Sequence, residues 1–181
     1  TAGRGLIHAE LSPESFKRGG GPLEILQLWV NLPARLKFTD PAYIEVPAAK
    51  IPEVQLAPGV TMRPVSGFGR GPVSSLTGVA LAMIQFQPGT GASLPAPAGR
   101  NVLFYTVRGS LDIGDREVPE HYLAQLEDGD SVDVVAPDGA LLLFGHADPI
   151  GEPMVAHGPF VMNTEQEIRD AFEAYRRGEF A

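Results

Sequence analysis

Apolar positions come in short alternating runs through most of the chain, and helical periodicity is confined to one stretch near its end. Alternate side chains share a face on a strand, whereas a helix brings positions i, i+3, i+4 and i+7 together. The alternation predicts strands over 79–87, 102–107, 111–113, 131–135 and 140–144. Turn residues bound them: Pro88-Gly89, Arg108-Gly109-Ser110, Gly114-Asp115, Glu127-Asp128-Gly129-Asp130 and Pro137-Asp138-Gly139. The run 23–32 is apolar on both faces, with Leu23, Ile25, Gln27, Trp29 and Asn31 opposite Leu26, Leu28, Val30 and Leu32. That pattern predicts a long strand buried on both sides, with Gln27 either lining a cavity or hydrogen-bonded in a structural role. Residues 12–22, rich in glycine at their end, read as a loop. Ile168, Ala171, Phe172 and Tyr175 repeat at helical spacing behind a Thr164/Glu167 capping box, and Gly178 supplies a stop. A helix over 165–177 follows, with Ile168, Phe172 and Tyr175 buried. Short strands, frequent turns and one late helix predict an all-β fold of sandwich or jelly-roll type.

Composition narrows the chemistry. The 21 glycines and 17 prolines among 181 residues suit a turn-dense β fold. The chain has no cysteine, which excludes disulfides and Cys-based zinc sites. A formal charge of −8 argues against direct nucleic-acid binding, which needs a basic footprint. Lys17-Arg18 and Arg35 with Lys37 read as small solvated basic spots on loops. No apolar run approaches the roughly 20 residues of a membrane span. The expectation is a cytoplasmic protein that contacts neither nucleic acid nor membrane.

The candidate chemistry lies in the first residues. Gly3-Arg4-Gly5-Leu6-Ile7-His8-Ala9-Glu10 reads as a strand entered through two glycines, with Leu6, His8 and Glu10 on one face. An imidazole and a carboxylate two residues apart can converge on one cation. The same spacing also fits a His and a Glu on the solvent face of a half-buried strand. His121 and His146 stand without partners and read as surface or hydrogen-bonded histidines.

Longer blocks carry a resemblance. Thr1 to Glu10, Leu26-Gln27-Leu28-Trp29-Val30-Asn31-Leu32-Pro33 and His157-Gly158-Pro159-Phe160-Val161-Met162-Asn163-Thr164 resemble, in this order, the pirin family of bicupins. The resemblance implies cupin (jelly-roll) barrels with a C-terminal α-helix. Residues 1–47 would be the remainder of an N-terminal barrel with half of its metal site. Residues 48–150 would form a C-terminal barrel, and 151–181 a return segment and helix packing on the first. It also implies that His8 and Glu10 are metal ligands, completed in the family by an upstream His-x-His pair. This chain has no such pair and begins at Thr1. It therefore looks like the C-terminal part of a longer protein, whose missing N-terminal segment would be its first partner. The implied cofactor is one divalent transition metal, Fe(II) foremost, with Mn, Ni and Cu as alternatives, incompletely held by this chain alone. The implied activity is metal-dependent quercetin 2,3-dioxygenase chemistry on a flavonol-like small molecule, with Glu10 also taking the substrate hydroxyl proton. The alternative is a metal-containing transcriptional co-regulator that binds a protein partner without turnover.

The second barrel reads differently. Laid from Gly89, the His-x-His positions of the usual cupin pattern fall on Pro95 and Pro97, the Glu position falls near Asn101, and the last His position falls on Leu142. Residues 48–150 are therefore expected to hold no metal. His157 is expected to be structural, and Phe38 and Tyr43 to pack rather than contact a ligand.

Overall fold

The computed structural model describes residues 1–9, 11–127 and 129–180. The chain divides into two compact units: Thr1–Tyr43 with Ile150–Ala181 (unit 1), and Ile44–Pro149 (unit 2).

Unit 2 is built from β1 (Val54–Ala57), β2 (Val60–Ser66), β3 (Ala80–Phe86), β4 (Thr90–Pro95), β5 (Asn101–Gly109), β6 (Leu111–Ile113), β7 (Arg116–Val118), β8 (Ser131–Ala136) and β9 (Ala140–Ala147), after a 3₁₀ turn at Ala48–Lys50. One sheet has the order β1-β2-β3-β9-β5 and the other β4-β8-β6-β7, with antiparallel pairing between these strands. Inward positions alternate as the sequence pattern requires: Val60, Met62, Ala82, Ile84 and Phe86 from the first sheet meet Leu94, Leu111, Val132 and Val134 from the second. Phe104 and Phe144 lie edge to face, 6.4 Å apart, inside this layer. Two sheets closed on one apolar core make a jelly roll.

Two local features complete it. Pro64 has no N–H to give a ladder, and the β2–β3 register shifts between Pro64 and Ser66. The outer edge of β5 is covered by residues 118–124. Thr106 N donates to Tyr122 O (3.0 Å), Ala124 N to Phe104 O (2.9 Å) and His121 N to Thr106 O (2.7 Å). The fully buried Thr106 hydroxyl donates to Val118 O at 3.3 Å.

Unit 1 contains α1 (Glu14–Gly19), α2 (Ala34–Lys37), β10 (Val155–His157), β11 (Phe160–Met162) and α3 (Glu165–Arg176). β10 and β11 form an antiparallel hairpin. Thr164 accepts from Glu167 N at 3.2 Å, and Glu167 accepts from Thr164 N at 2.8 Å, so the predicted capping box forms. At the other end Gly178 N donates to Tyr175 O and Glu179 N to Ala174 O, a Schellman closure. Ile168 is buried, but Phe172 is only half-buried, with its ring edge-on to Phe160 at 4.8 Å. Tyr175, expected inside, is 53% exposed, because its ring reaches sideways to Phe180.

Three further expectations are corrected. Residues 12–22 contain α1, helped by an acidic residue in its first turn, basic residues in its last and a Glu14–Lys17 pair at 2.7 Å. Residues 23–32 form no strand, and Trp29 is 60% exposed. No ladder or bridge joins this run to another segment among the described residues, and an extended chain without a neighbour cannot become sheet. Gln27 accordingly sits in solvent. Phe38 and Tyr43 are also exposed rather than packed.

Thr164→Ala removes one half of the capping box and should cost about 1 kcal/mol. Loss of α3 signal at a lower denaturant concentration, with unit 2 unaffected, is the expected result.

Candidate metal-binding segment and its surroundings

Residues 1–5 run beside 39–42. Arg4 N donates to Thr39 O (3.0 Å), Ala42 N donates to Thr1 O (2.9 Å), and the Arg4 guanidinium pairs with Asp40 at 3.1 Å. Gly5 is buried at φ +139°, a region L side chains rarely adopt. A Cβ there would lie 2.5 Å from the Phe180 ring. Phe180 is brought back by the turn after α3 and also meets Phe160 at 5.8 Å. The glycine of the opening motif is therefore a socket for an aromatic ring.

His8 lies three residues further on, exposed, and outside any strand, contrary to the predicted strand geometry. The reason is the one that applies to 23–32: no described segment completes a ladder along it. Glu10 lies outside the described residues. No group of three or more His, Cys, Asp or Glu side chains that could hold a metal occurs among the described residues. Metal sites of N/O type use three or four protein donors. The donors described in this chain do not by themselves fit such a metal.

A polar clasp lies nearby in the same unit. Lys37, read from sequence as solvated, is 5% exposed. Its ammonium donates to Asn31 Oδ1 (2.7 Å) and Val161 O (3.2 Å). Burial pushes its pKa down, opposed by the charges of Glu167 and Glu152. Glu152 accepts from Ala34 N (2.6 Å) and Asn163 Nδ2 (3.1 Å), and Glu167 accepts from Asn163 N at 3.0 Å. Residues 31–37 are thus tied to the segment leading into α3. Local composition gave no sign of this. The signal lay in the two blocks 26–33 and 157–164, which contain Asn31, Val161 and Asn163.

Within unit 2, Pro95 and Pro97 are the residues matched to the His-x-His positions. Both are exposed, and the inward residues are Leu94 and Ala96. Leu142 is fully buried, as an inward position should be. The core residues on both sheets are aliphatic, phenylalanine or methionine, with no histidine or carboxylate among them. His121 is exposed, 3.7 Å from Glu120. His157 sits edge-on to Phe172 at 5.7 Å. His146 has a buried Nδ1 with no hydrogen-bond partner among the described residues. It is half-buried, edge-on to Phe68 (5.3 Å) and Phe144 (6.5 Å). Desolvation, and secondarily Arg100, push its pKa down, while Asp148 opposes them.

Two antiparallel sheets closed on an apolar core, with one capped helix after them, define the mostly-β cupin class. A family model, the pirin C-terminal cupin domain, matches residues 81–181, and the chain belongs to the pirin family. It is 37% identical to human pirin over 187 residues, which is 97% of this chain and 62% of that protein. A Pseudomonas aeruginosa protein, whose name assigns it provisionally as a quercetin 2,3-dioxygenase, is 35% identical over 185 residues, 99% of this chain and 65% of that one. The crystal structure of quercetin 2,3-dioxygenase from Acinetobacter baumannii is similar with a TM-score of 0.80 and 28% identity, over 84% of this chain and 55% of that one. The chain thus spans less than two thirds of the length of these relatives. No helix among the described residues is long and apolar enough to cross a membrane.

Gly5→Ala drives a methyl group into the Phe180 ring and should cost about 1–3 kcal/mol in unit 1, measured as a lower unfolding midpoint. His146 yields a pH prediction. A histidine held below its ordinary value binds fewer protons folded than unfolded as pH falls through about 6.5. The stability of unit 2 should therefore drop on acidification below that pH. His146→Phe should flatten this part of the stability–pH curve.

Proposed function

We propose that this chain is the larger part of a pirin-type, metal-dependent dioxygenase of the quercetin 2,3-dioxygenase kind. The similarity to the Acinetobacter baumannii enzyme, extending over 84% of this chain, carries the reading. In it, His8 and Glu10 are two ligands of a divalent transition metal, Fe(II) foremost, and a preceding segment supplies the remaining donors. Residues 1–47 then belong to an N-terminal barrel, 48–150 form a metal-free C-terminal barrel, and 151–181 return to the first. The metal would supply redox chemistry toward O₂. This chain's own contribution is a segment anchored through Gly5 that presents His8. Its substrate would be a flavonol-like small molecule, and its setting the cytoplasm.

The partner reading has its own support. Leu23, Ile25, Leu26, Leu28, Trp29 and Val30 form a run exposed to solvent, and clustered exposed apolar residues of this kind mark interaction surfaces. We assign this run as the face that pairs with the preceding segment. The non-enzymatic alternative, a co-regulator that docks a protein partner, would use the same kind of surface.

One experiment separates these readings. O₂ uptake with quercetin should appear when the chain is combined with a preceding segment carrying a His-x-His pair, and His8→Ala should abolish it. The emission of Trp29, the single tryptophan, should shift to the blue on that combination. A blue shift without O₂ uptake favours the binding module, and uptake that survives His8→Ala removes His8 from the site.

A further inference from the structure

The segment that follows β7 does not close against it. The chain turns where Tyr122 N donates to Pro119 O (3.2 Å), then runs outside β5 with Leu123 bridged to Tyr105. Between β7 and residues 122–126 a groove of about 260 Å³ stays open to solvent. Buried Val118 and half-buried Ile113 and Leu126 line it, and Tyr122 and Leu123, 62% and 64% exposed, stand at its rim. Enclosed small-molecule sites run to roughly 300–1,000 Å³, so a shallow apolar groove of this size suits side chains of a peptide better. The groove lies wholly within unit 2.

Both walls of the groove are sheet edges. β7 is the outermost strand of its sheet. On the other wall, Tyr122 O and Ala124 N are taken up by Thr106 N and Phe104 O. In an antiparallel ladder the residue between two such bonds turns its own N–H and C=O the other way, so those of Leu123 face away from β5. The walls are held by the fold itself, since the Thr106 hydroxyl also donates to Val118 O at 3.3 Å. An edge of this kind takes an extended chain by strand addition. Main-chain hydrogen bonds attach the chain, and its alternate side chains fill the groove.

Charge selects the occupant. Residues 112–130 contain seven aspartates and glutamates against one basic residue, Arg116. Asp115, Glu117 and Glu127 are exposed and enter no ion pair among the described residues. Two copies of so acidic an edge repel one another, which sets a second copy of this chain aside. A chain with cations beside its apolar residues meets opposite charge instead. We propose that the groove docks an extended segment of a partner protein, apolar at alternate positions with lysine or arginine between them. Its apolar side chains pass between Tyr122 and Leu123 onto Val118 and Leu126, and its main chain pairs with Leu123. Its cations face Asp115, Glu117 and Glu127. No residue of unit 1 takes part, so the docking site stands whether or not the dioxygenase reading holds.

A fluorescent peptide of sequence Lys-Val-Lys-Val-Lys-Val-Lys, titrated with the whole chain and followed by anisotropy, tests this. Binding should saturate and weaken as salt is raised. In the ¹⁵N-labelled chain the amide signals of Glu117 and Leu123 should shift, while the emission of Trp29 stays in place. The same peptide with serine for valine keeps the charge without the apolar face and should bind at least about fivefold more weakly. Tyr122→Ala combined with Leu123→Ser should weaken the valine peptide by about fivefold or more, the order expected for lost interface anchors. Both positions are exposed, and Leu123→Ser alone replaces the pair if the pair does not fold. Binding that never saturates, equal affinity for the two peptides, or undiminished binding by the variant would overturn the proposal. So would loss of peptide binding once the preceding segment is added, with the Leu123 amide shifting on that addition alone, because the groove would then belong to the same protein.

Discussion

An extended chain keeps its form only where neighbours take up its backbone hydrogen bonds, and this requirement decides where the chain becomes sheet. In unit 2 it is met throughout the core. β9 lies between β3 and β5, and the free side of β5 is occupied by the backbone of 118–124. Once the ladders are satisfied, the inward faces meet, and Phe86, Phe104, Phe144, Ile84, Leu94 and Leu142 disappear from solvent together. Burial of that order, about 1.5–3 kcal/mol for each large apolar side chain, is what holds the jelly roll together.

Unit 1 meets the same requirement by other means. Its hairpin is only three residues a side, which is marginal alone, and the capped helix α3 and an aromatic group consolidate it. Phe160 touches both Phe172 and Phe180, and Phe180 fills the space that Gly5 leaves open. The buried Lys37 ammonium adds a polar tie through its hydrogen bonds to Asn31 Oδ1 and Val161 O. These contacts hold the two ends of the unit together and give the His8 segment its anchor. They do not complete a donor set around His8.

The element types of unit 2 were legible from the sequence because alternation there coincides with burial. The pattern placed strands at 79–87, 102–107, 111–113, 131–135 and 140–144, and β3, β5, β6, β8 and β9 lie on those residues. The capping box at Thr164 and Glu167 was equally readable, since both partners sit within one turn of helix. The family was legible from blocks of eight to ten residues, long enough to be specific where a lone glycine pattern is not.

Tertiary structure decided the rest. The 23–32 run has strand composition, but composition cannot provide the neighbouring strand that would pair it. The inward position at residues 94–97 depends on how β4 meets β8, and a shift of one residue exchanges the two faces. Lys37 looks like any surface lysine until Asn31 and Val161 O surround it. His146 looks like a partnerless histidine until Phe68, held by a left-handed backbone, closes over it. Periodicity and caps are written locally because their partners are a few residues apart. Burial of a single polar group depends on residues as distant as 124 positions along the chain, and only the folded chain brings those into contact.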